Sequence, residues 1–382
     1  VTHHPSFQEE HRILRRSVRK FVDEELNPHV DTWEAEGRLP KDIFRKLGEL
    51  GVLGIRYPDA YGGADGDIWS TVVFCEELGR CRSRGLTMSV LVQTDMASPY
   101  LAKYGSDHVK EQFLAPLVHG EKVGAIVLSE PDVGSDLANM RTTARREGDH
   151  FVLNGNKTYI TNALSADLFT VAAKTDPDAG KRGVSIFVVE RDADGFSIES
   201  MTKKLGMHAS DTGELTFEET PVSAANLVGE ENRGFYYVMD SLQNERFVAC
   251  VAMTAAAQQA IEDATEFAQH RDVQGRKLSD YQVTRHKLAH LQTRVEAARR
   301  LTYYAAELYD QGEDWTTAVS MCKAFCAEVA NEVADECLQI HGGSGYMEEY
   351  DVPRLYRDLR LWKIGAGTTE VMNEIIAKRM GV

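Results

Sequence analysis

A chain of 382 residues is longer than a single hydrophobic core usually serves, so two or three subdomains sharing a core are expected. Its formal charge of -16 and pI near 5.3 argue against nucleic-acid binding, because phosphate neutralisation needs a surplus of clustered Lys and Arg. No run approaches the roughly 18 uninterrupted apolar residues of a membrane span. Val1 to Gln8 lacks the apolar centre of a signal peptide, and the last residues carry no lipidation motif. A soluble, cytosolic protein is therefore expected, with a processed organellar form left open.

Across residues 1–120, apolar side chains recur at helical spacing, as at Ile43, Leu47, Leu50 and Leu53, with breaks at Gly62-Gly63 and Gly66. This segment reads as an N-terminal helical domain. Within it Arg15, Arg16, Arg19 and Lys20 interleave with Ile13, Leu14 and Val18, a pattern expected of a solvated helix face. From 121 to 233 the texture turns to short strand-like runs: Phe151-Val152-Leu153, Leu168 to Ala173, Val184 to Val189, and Leu215-Thr216-Phe217. Turn signals at Asn154-Gly155-Asn156, Asp176-Pro177-Asp178 and Asp194-Gly195 separate them, so a compact antiparallel β-domain is predicted.

Helices return over 234–382 and lengthen. Cys322, Cys326, Val329, Val333, Cys337 and Ile340 step by three or four along one stripe, Val283 to Tyr309 is similar, and the Ala-rich stretch 248–260 suits close helix contacts. Such long helices with short connectors read as an antiparallel four-helix bundle, giving an α+β chain overall. The six cysteines form no CxxC pair and fall in helical patterns, which fits reduced core residues. Cys322 with Cys326, and His286 with His290, share helix faces at i,i+4 but have no further ligands nearby in sequence, so no metal site is expected.

Six segments carry chemistry. No GxGxxG follows a strand, so a Rossmann phosphate loop is not expected. In Val127-Leu128-Ser129-Glu130-Pro131-Asp132-Val133-Gly134-Ser135-Asp136, Gly134 permits close backbone approach and the hydroxyls of Ser129 and Ser135 can donate to anionic oxygens. The same string also fits a turn with an Asx cap. Gly155-Asn156-Lys157-Thr158-Tyr159-Ile160-Thr161-Asn162 offers an aromatic ring two residues from a hydroxyl, though on the residues alone Tyr159 reads rather as a strand's core residue. Arg271-Asp272-Val273-Gln274-Gly275-Arg276 precedes Gln282 on the next helix, and Gln339-Ile340-His341-Gly342-Gly343-Ser344-Gly345-Tyr346 has paired glycines that suit either a pyrophosphate or a plain helix C-cap. Leu242-Gln243-Asn244-Glu245-Arg246 holds a Glu-Arg pair that in isolation would be a surface ion pair. The sixth is Tyr356-Arg357-Asp358-Leu359-Arg360-Leu361-Trp362-Lys363-Ile364-Gly365-Ala366-Gly367-Thr368-Thr369-Glu370.

Together, and in this order of helices, β-domain and helical bundle, these segments resemble the flavin-dependent acyl-CoA dehydrogenases over nearly the whole chain. Most of that family carries a catalytic Glu where this chain has Ala366. A smaller subset, including the isovaleryl-CoA and long-chain enzymes, places its base on an earlier helix just before an Arg, where this chain has Glu245-Arg246. The two departures match as a pair and imply a working dehydrogenase with a relocated base.

The resemblance implies FAD as cofactor, contacted by Ile126, Leu128, Ser129, Gly134, Ser135, Tyr159, Ile160 and Thr161, with Thr368 and Glu370 from the C-terminal segment. It further implies that Arg271 and Gln282, with Gln339, Gly342 and Gly343, reach a flavin across a subunit interface in a homotetramer. Gln274 stands where the family usually has Phe, which leaves the packing at the adenine end open.

For the substrate, the implied contacts are Ser135, Tyr236, Gln243, Arg246, Gly365, Ala366 and Gly367. In such enzymes a base takes the α proton of an acyl-CoA thioester while the β hydrogen leaves as hydride to the flavin N5. The thioester oxygen accepts hydrogen bonds that strengthen as enolate charge develops, one of them from a backbone N–H at the position of Ala366, which survives loss of the side chain. Burial would raise the pKa of Glu245 and Arg246 would lower it, a balance the sequence leaves open. Gly365, where the common pattern has Tyr, should leave room for a branched acyl group. An electron-transferring flavoprotein is the implied acceptor. The rival readings are the same fold acting on a carrier-protein-bound acyl group or in another flavin oxidation, and a flavoprotein binding module that does not dehydrogenate.

Overall fold

The computed structural model describes residues 4–382. It begins with helices α1 (Glu9–Phe21), α2 (Val30–Glu36), α3 (Asp42–Glu49), α4 (Ile68–Leu78), α5 (Arg84–Leu91), α6 (Ser98–Tyr104), α7 (Asp107–Val109) and α8 (Ala115–Val118). Side-chain caps set the two central ones: Asp67 accepts the Ser70 N–H at 2.8 Å to start α4, and Ser83 accepts the Leu86 N–H at 3.2 Å to start α5. Nearly every residue of α4 and α5 is buried, because other elements cover them on all sides.

The basic residues of α1 divide into two groups. Arg16 and Lys20 face solvent as expected, whereas Arg15 reaches the buried carboxylates Glu76 and Glu77 of α4 at 2.6 and 2.7 Å, and Arg19 also binds Glu77. The expectation of a uniformly solvated face is thus corrected. The partners lie about sixty positions downstream, beyond the reach of a local pattern.

Seven strands follow: β1 (Gly124–Val127), β2 (Thr143–Glu147), β3 (His150–Thr161), β4 (Leu168–Lys174), β5 (Val184–Glu190), β6 (Phe196–Ser200) and β7 (Thr212–Ser223). They form one sheet in the order β1-β4-β2-β3-β7-β6, with β5 also paired to β4. Pairing is antiparallel except that β1 runs parallel to β4, and β2 meets β4 in parallel at Thr143 and Lys174. Asn154-Gly155 is not the predicted turn, since β3 passes straight through it. Gly155 adopts φ +147° at a register shift against β7, and a Cβ there would lie 2.6 Å from the Thr142 hydroxyl. Glycine serves here as a bulge that allows close approach rather than a chain reversal.

The C-terminal part is built on α9 (Gly234–His270), whose 37 residues span about 55 Å. After a two-stranded ribbon, β8 (Asp272–Val273) with β9 (Arg276–Lys277), come α10 (Gln282–Asp310), α11 (Thr316–His341), α12 (Asp351–Leu359) and α13 (Thr369–Met380). The predicted stripe of α11 is buried against α9 and α10, including Cys322, Cys326, Val329, Val333 and Cys337. Among the described residues, no helix is long and apolar enough to cross a membrane.

Candidate active site

α9 carries Glu245 to the junction of the helical parts and the β-sheet. Two residues set its turn of helix. Asn244 donates to the backbone carbonyl of Asp95 at 3.1 Å and to its carboxylate at 3.2 Å, while Arg56 donates to the Asn244 side chain. Asp95 is itself buried, and burial raises its pKa against the pull of Arg56, Thr94 and Asn244. This polar bridge locks the rotation of α9 at the residue before Glu245. One helical turn earlier, Leu242 packs in a cluster with Val133, Met140, Ile126 and Leu128, which joins the Glu245 helix to the segment containing Ser129 and Gly134.

Glu245 is only 5% exposed, and its Oε1 has no hydrogen-bond partner among the described residues. A buried carboxylate with an unmet oxygen is costly, and burial accordingly pushes its pKa up to about 7. Arg246 and the Tyr100 hydroxyl pull the other way without cancelling the effect. Tyr100 stands beside the carboxyl but short of full hydrogen-bond geometry, so its hydroxyl is also unmatched. Arg246 turns away from Glu245 to the C-terminal loop, where its Nε–H donates to the Ala366 carbonyl at 3.2 Å and its Nη1 to Gln243 at 3.4 Å.

That loop is tightly specified. Ala366 has φ +55° and Gly367 φ +97°, both in the left-handed region. A Cβ on Gly367 would come within 2.7 Å of the Met372 methyl and 3.4 Å of the Arg246 guanidinium, so only glycine fits beneath the arginine. Neither the Ala366 nor the Gly367 N–H donates to another backbone carbonyl among the described residues. Thr368 closes the loop by capping α13, its hydroxyl accepting the Val371 N–H at 3.3 Å. Glu370 lies exposed in the first turn, its pKa lowered by its own backbone N–H and by Thr368.

Two further segments meet on the sheet. The Thr158 N–H donates to the Ser129 carbonyl at 3.0 Å, and the Lys157 ammonium donates to the Leu128 carbonyl at 3.1 Å and the Glu130 carboxylate at 2.9 Å. Glu130 also accepts the backbone N–H groups of Arg141 and Thr142 at 2.6 and 3.0 Å. Tyr159 then projects outward with φ +59°, 70% exposed, while Ile160 is buried. The structure thus places Tyr159 at the surface, contrary to a core role. Gly134 and Ser135 are exposed, with nothing within 4 Å of a Cβ built on Gly134.

Arg271, Gln282, Gln339, Gly342 and Gly343 gather elsewhere. The ends of α9 and α11 meet through Phe267 and His341, ring centroids 4.4 Å apart, and Gly342 ends α11 with φ +56° beside open space. Arg271 lies 26 residues beyond Glu245, about 39 Å along α9, so within one chain this group is separate from the Glu245 site. Tyr236, near the start of α9, is half-exposed beneath the Arg233 guanidinium.

Comparison with known proteins matches these three parts in turn to one family's sequence models. Residues 8–121 match the acyl-CoA dehydrogenase N-terminal domain, 125–220 its middle domain and 232–381 its C-terminal domain. The chain belongs to the acyl-CoA dehydrogenase family. It is 38% identical over 376 residues to the mitochondrial long-chain specific acyl-CoA dehydrogenase of Rattus norvegicus, covering 98% of this chain and 87% of that protein. The crystal structure of an acyl-CoA dehydrogenase from Geobacillus kaustophilus superposes with a TM-score of 0.96 at 40% identity, covering 99% of this chain and all of the other. A glutaryl-CoA dehydrogenase from Mycobacterium smegmatis, solved in complex with FADH2, superposes with a TM-score of 0.92 at 31% identity over 98% and 95% of the two chains. As an acyl-CoA dehydrogenase the protein is an oxidoreductase, and its cofactor is FAD. The exposed Tyr159 ring and the open backbone at Gly134 fit a bulky planar, phosphate-bearing group.

Sequence reasoning missed several residues of this site. Tyr100 lies 145 positions from Glu245 with no local mark, and nothing in the sequence distinguishes Asn244 within its segment. Lys157 did carry a signal, since it is a lone charge within a run of strand character, whereas Glu130, followed by Pro131-Asp132, carried none.

Proposed function

We propose that this acyl-CoA dehydrogenase removes the α and β hydrogens of an acyl-CoA thioester, with Glu245 taking the α proton. The observation that carries this reading is the buried, unpaired Oε1 of Glu245, on a helix whose next residue grips the loop bearing Ala366. A carboxylate held near neutrality by burial is matched to a weak carbon acid better than one with an ordinary pKa, because proton transfer is then less uphill. Arg246, bonded to Ala366 and Gln243, holds the loop while its charge keeps Glu245 from drifting further toward the neutral acid.

The Ala366 N–H donates to the thioester oxygen in this reading, and the bond strengthens as enolate character grows. Ser129, Ser135, Tyr159, Thr161, Thr368 and Glu370, with the backbone at Ile126, Leu128, Gly134 and Ile160, would hold FAD. When bound, FAD supplies the two-electron acceptor for the β hydrogen. Arg271, Gln282, Gln339, Gly342 and Gly343 would serve a neighbouring subunit's cofactor in a homotetramer, a reading supported by their distance from Glu245 within one chain. An electron-transferring flavoprotein is the proposed oxidant of the reduced enzyme, and a cytoplasmic location the proposed setting.

Anaerobic titration of the purified protein with straight and branched acyl-CoAs tests this directly. Bleaching of the flavin spectrum by at least one of them is expected from the wild type and not, on the same timescale, from Glu245→Gln. A wild type that no acyl-CoA bleaches would overturn the proposal.

A further inference from the structure

A second buried cation holds the same loop. Lys323, on α11, is 1% exposed, and its ammonium donates to the Trp362 carbonyl and, at 3.2 Å, to the Gly367 carbonyl. These carbonyls bracket residues 363–366, and between them the Ala366 carbonyl is held by Arg246 at 3.2 Å. The titratable or charged groups facing Lys323 are Cys250 and Arg246 from α9 and Cys326 on its own helix, so no carboxylate neutralises it. Leaving an ammonium buried without a counter-ion is unfavourable for folding, whereas an apolar side chain of the same length would fill the space.

We propose that Lys323 is a positioning residue for the reaction: by drawing the Trp362 and Gly367 carbonyls to one point, it fixes the left-handed turn at Ala366 so that the Ala366 N–H is aimed at the thioester oxygen. This rests on the function proposed above and concerns the same site. Two cations, from α9 and α11, then hold one loop by three of its carbonyls. A loop of this kind, with two successive residues at positive φ, does not hold its shape without such restraints. The absence of a carboxylate has a physical sense as well: an anion at Lys323 would oppose the enolate charge that the loop must stabilise. Burial pulls the Lys323 pKa down to about 8, so the restraint weakens when the ammonium loses its charge.

The test uses FAD-loaded wild type, Lys323→Met and Lys323→Arg, with acetoacetyl-CoA as the probe. Its bound enolate is read by absorbance as a function of pH. An aimed N–H donor lowers the pKa of the bound probe, so Lys323→Met is expected to raise that pKa by about one unit or more while FAD content and probe affinity at low pH stay near wild type. The limiting rate of flavin reduction by the best acyl-CoA should fall about 10²-fold with little change in apparent affinity. An unchanged bound-probe pKa in a folded, FAD-loaded Lys323→Met, with Glu245→Gln inactive, would overturn the positioning role alone. A wild type that neither binds nor ionises the probe would overturn both this role and the proposed function. Should Lys323→Met not fold, Lys323→Arg decides: flavin reduction in the wild type should decline above about pH 8, and the arginine variant should lack that decline. The same alkaline limb in both would overturn the proposal.

Discussion

Arg246 donates its Nε–H to the carbonyl of Ala366 across 3.2 Å, so the residue that follows the proposed base also holds the C-terminal loop. The helix and the loop are therefore one mechanical unit. Removing the guanidinium disturbs both, through the freed loop and through loss of the charge that pulls the Glu245 pKa down. Arg246→Met should consequently fold but reduce flavin more slowly, and its acid limb should move to higher pH than in the wild type. Stopped-flow reduction across pH 6 to 9 measures both effects.

Replacing Glu245 by Gln removes proton abstraction and leaves the volume unchanged. The rate of flavin reduction should drop by about 10² to 10⁴-fold, with the flavin spectrum and affinity for a non-reacting CoA product retained. The variant also has a stability consequence. In the folded protein the Glu245 pKa is raised to about 7 from 4.5, so the folded state binds the proton more tightly than the unfolded chain does. Stability from this group is thus present at low pH and is lost as pH rises from about 4.5 to about 7. Substrate-free Glu245→Gln should escape that loss and gain on the order of 1 to 3 kcal/mol over wild type above pH 7. Urea unfolding at pH 5 and pH 8 checks the sign, and a wild type that grows more stable relative to the variant on the alkaline side contradicts it.

How much of this was legible beforehand varies with the range of the cause. The stripe of α11 and the extent of α10 follow from local periodicity, and the structure places them within a residue or two. Pairing between distant segments was not legible. Neither Arg15 with Glu76 nor the parallel contact of β1 with β4 leaves a local trace. Asn154-Gly155 misled because the same dipeptide serves a hairpin turn and a bulge, and only the nearness of Thr142 distinguishes them. At the site, Glu245 and Ala366 were singled out through family resemblance, while the direction of the Glu245 shift needed its burial and its neighbours.

The pair Glu130–Lys157 offers a test of the sheet side of the site. Burial pushes the Glu130 pKa up, but Lys157 and the donors from Thr142 and Arg141 outweigh it, so the carboxylate stays ionised. Lys157→Met would strand that charge among buried atoms, at a cost of about 3 to 5 kcal/mol. A marked fall in Tm and reduced FAD content are expected together, because the same ammonium also ties the Leu128 carbonyl to β3. Restoring stability with Glu130→Gln in the Lys157→Met background would show that the stranded charge, rather than lost packing, was responsible.

Moving the carboxylate back to the loop asks whether the site is open from both sides. Ala366 already occupies the left-handed region, so Ala366→Glu adds no new backbone demand beyond the one alanine meets. In the Glu245→Gln background this second change should recover part of the lost flavin-reduction rate. The recovery should be small, because effective base catalysis requires placement within a fraction of an ångström. Comparing the double variant with Glu245→Gln alone, over matched acyl-CoAs, gives the answer, and equal rates would mean that residue 366 does not face the α carbon.

Gly365 bears on substrate shape. Its φ is not in the left-handed region, and a Cβ built there would lie 3.7 Å from Leu361 Cγ, an ordinary contact, so a larger side chain can be introduced without forcing the backbone. An aromatic ring at this place would fill space beside the proposed acyl site, and a methyl branch at the β or γ carbon is what that space would admit. Gly365→Tyr should then penalise branched acyl-CoAs more than straight ones. Since a methyl's worth of pocket discrimination is about 1 to 3 kcal/mol, the ratio of kcat/KM for branched over straight chains should fall by roughly 10- to 200-fold without abolishing activity on straight chains. Should the ratio match wild type in a folded, FAD-loaded variant, residue 365 does not border the branch, and preference must be set by the helices lining the far end of the chain.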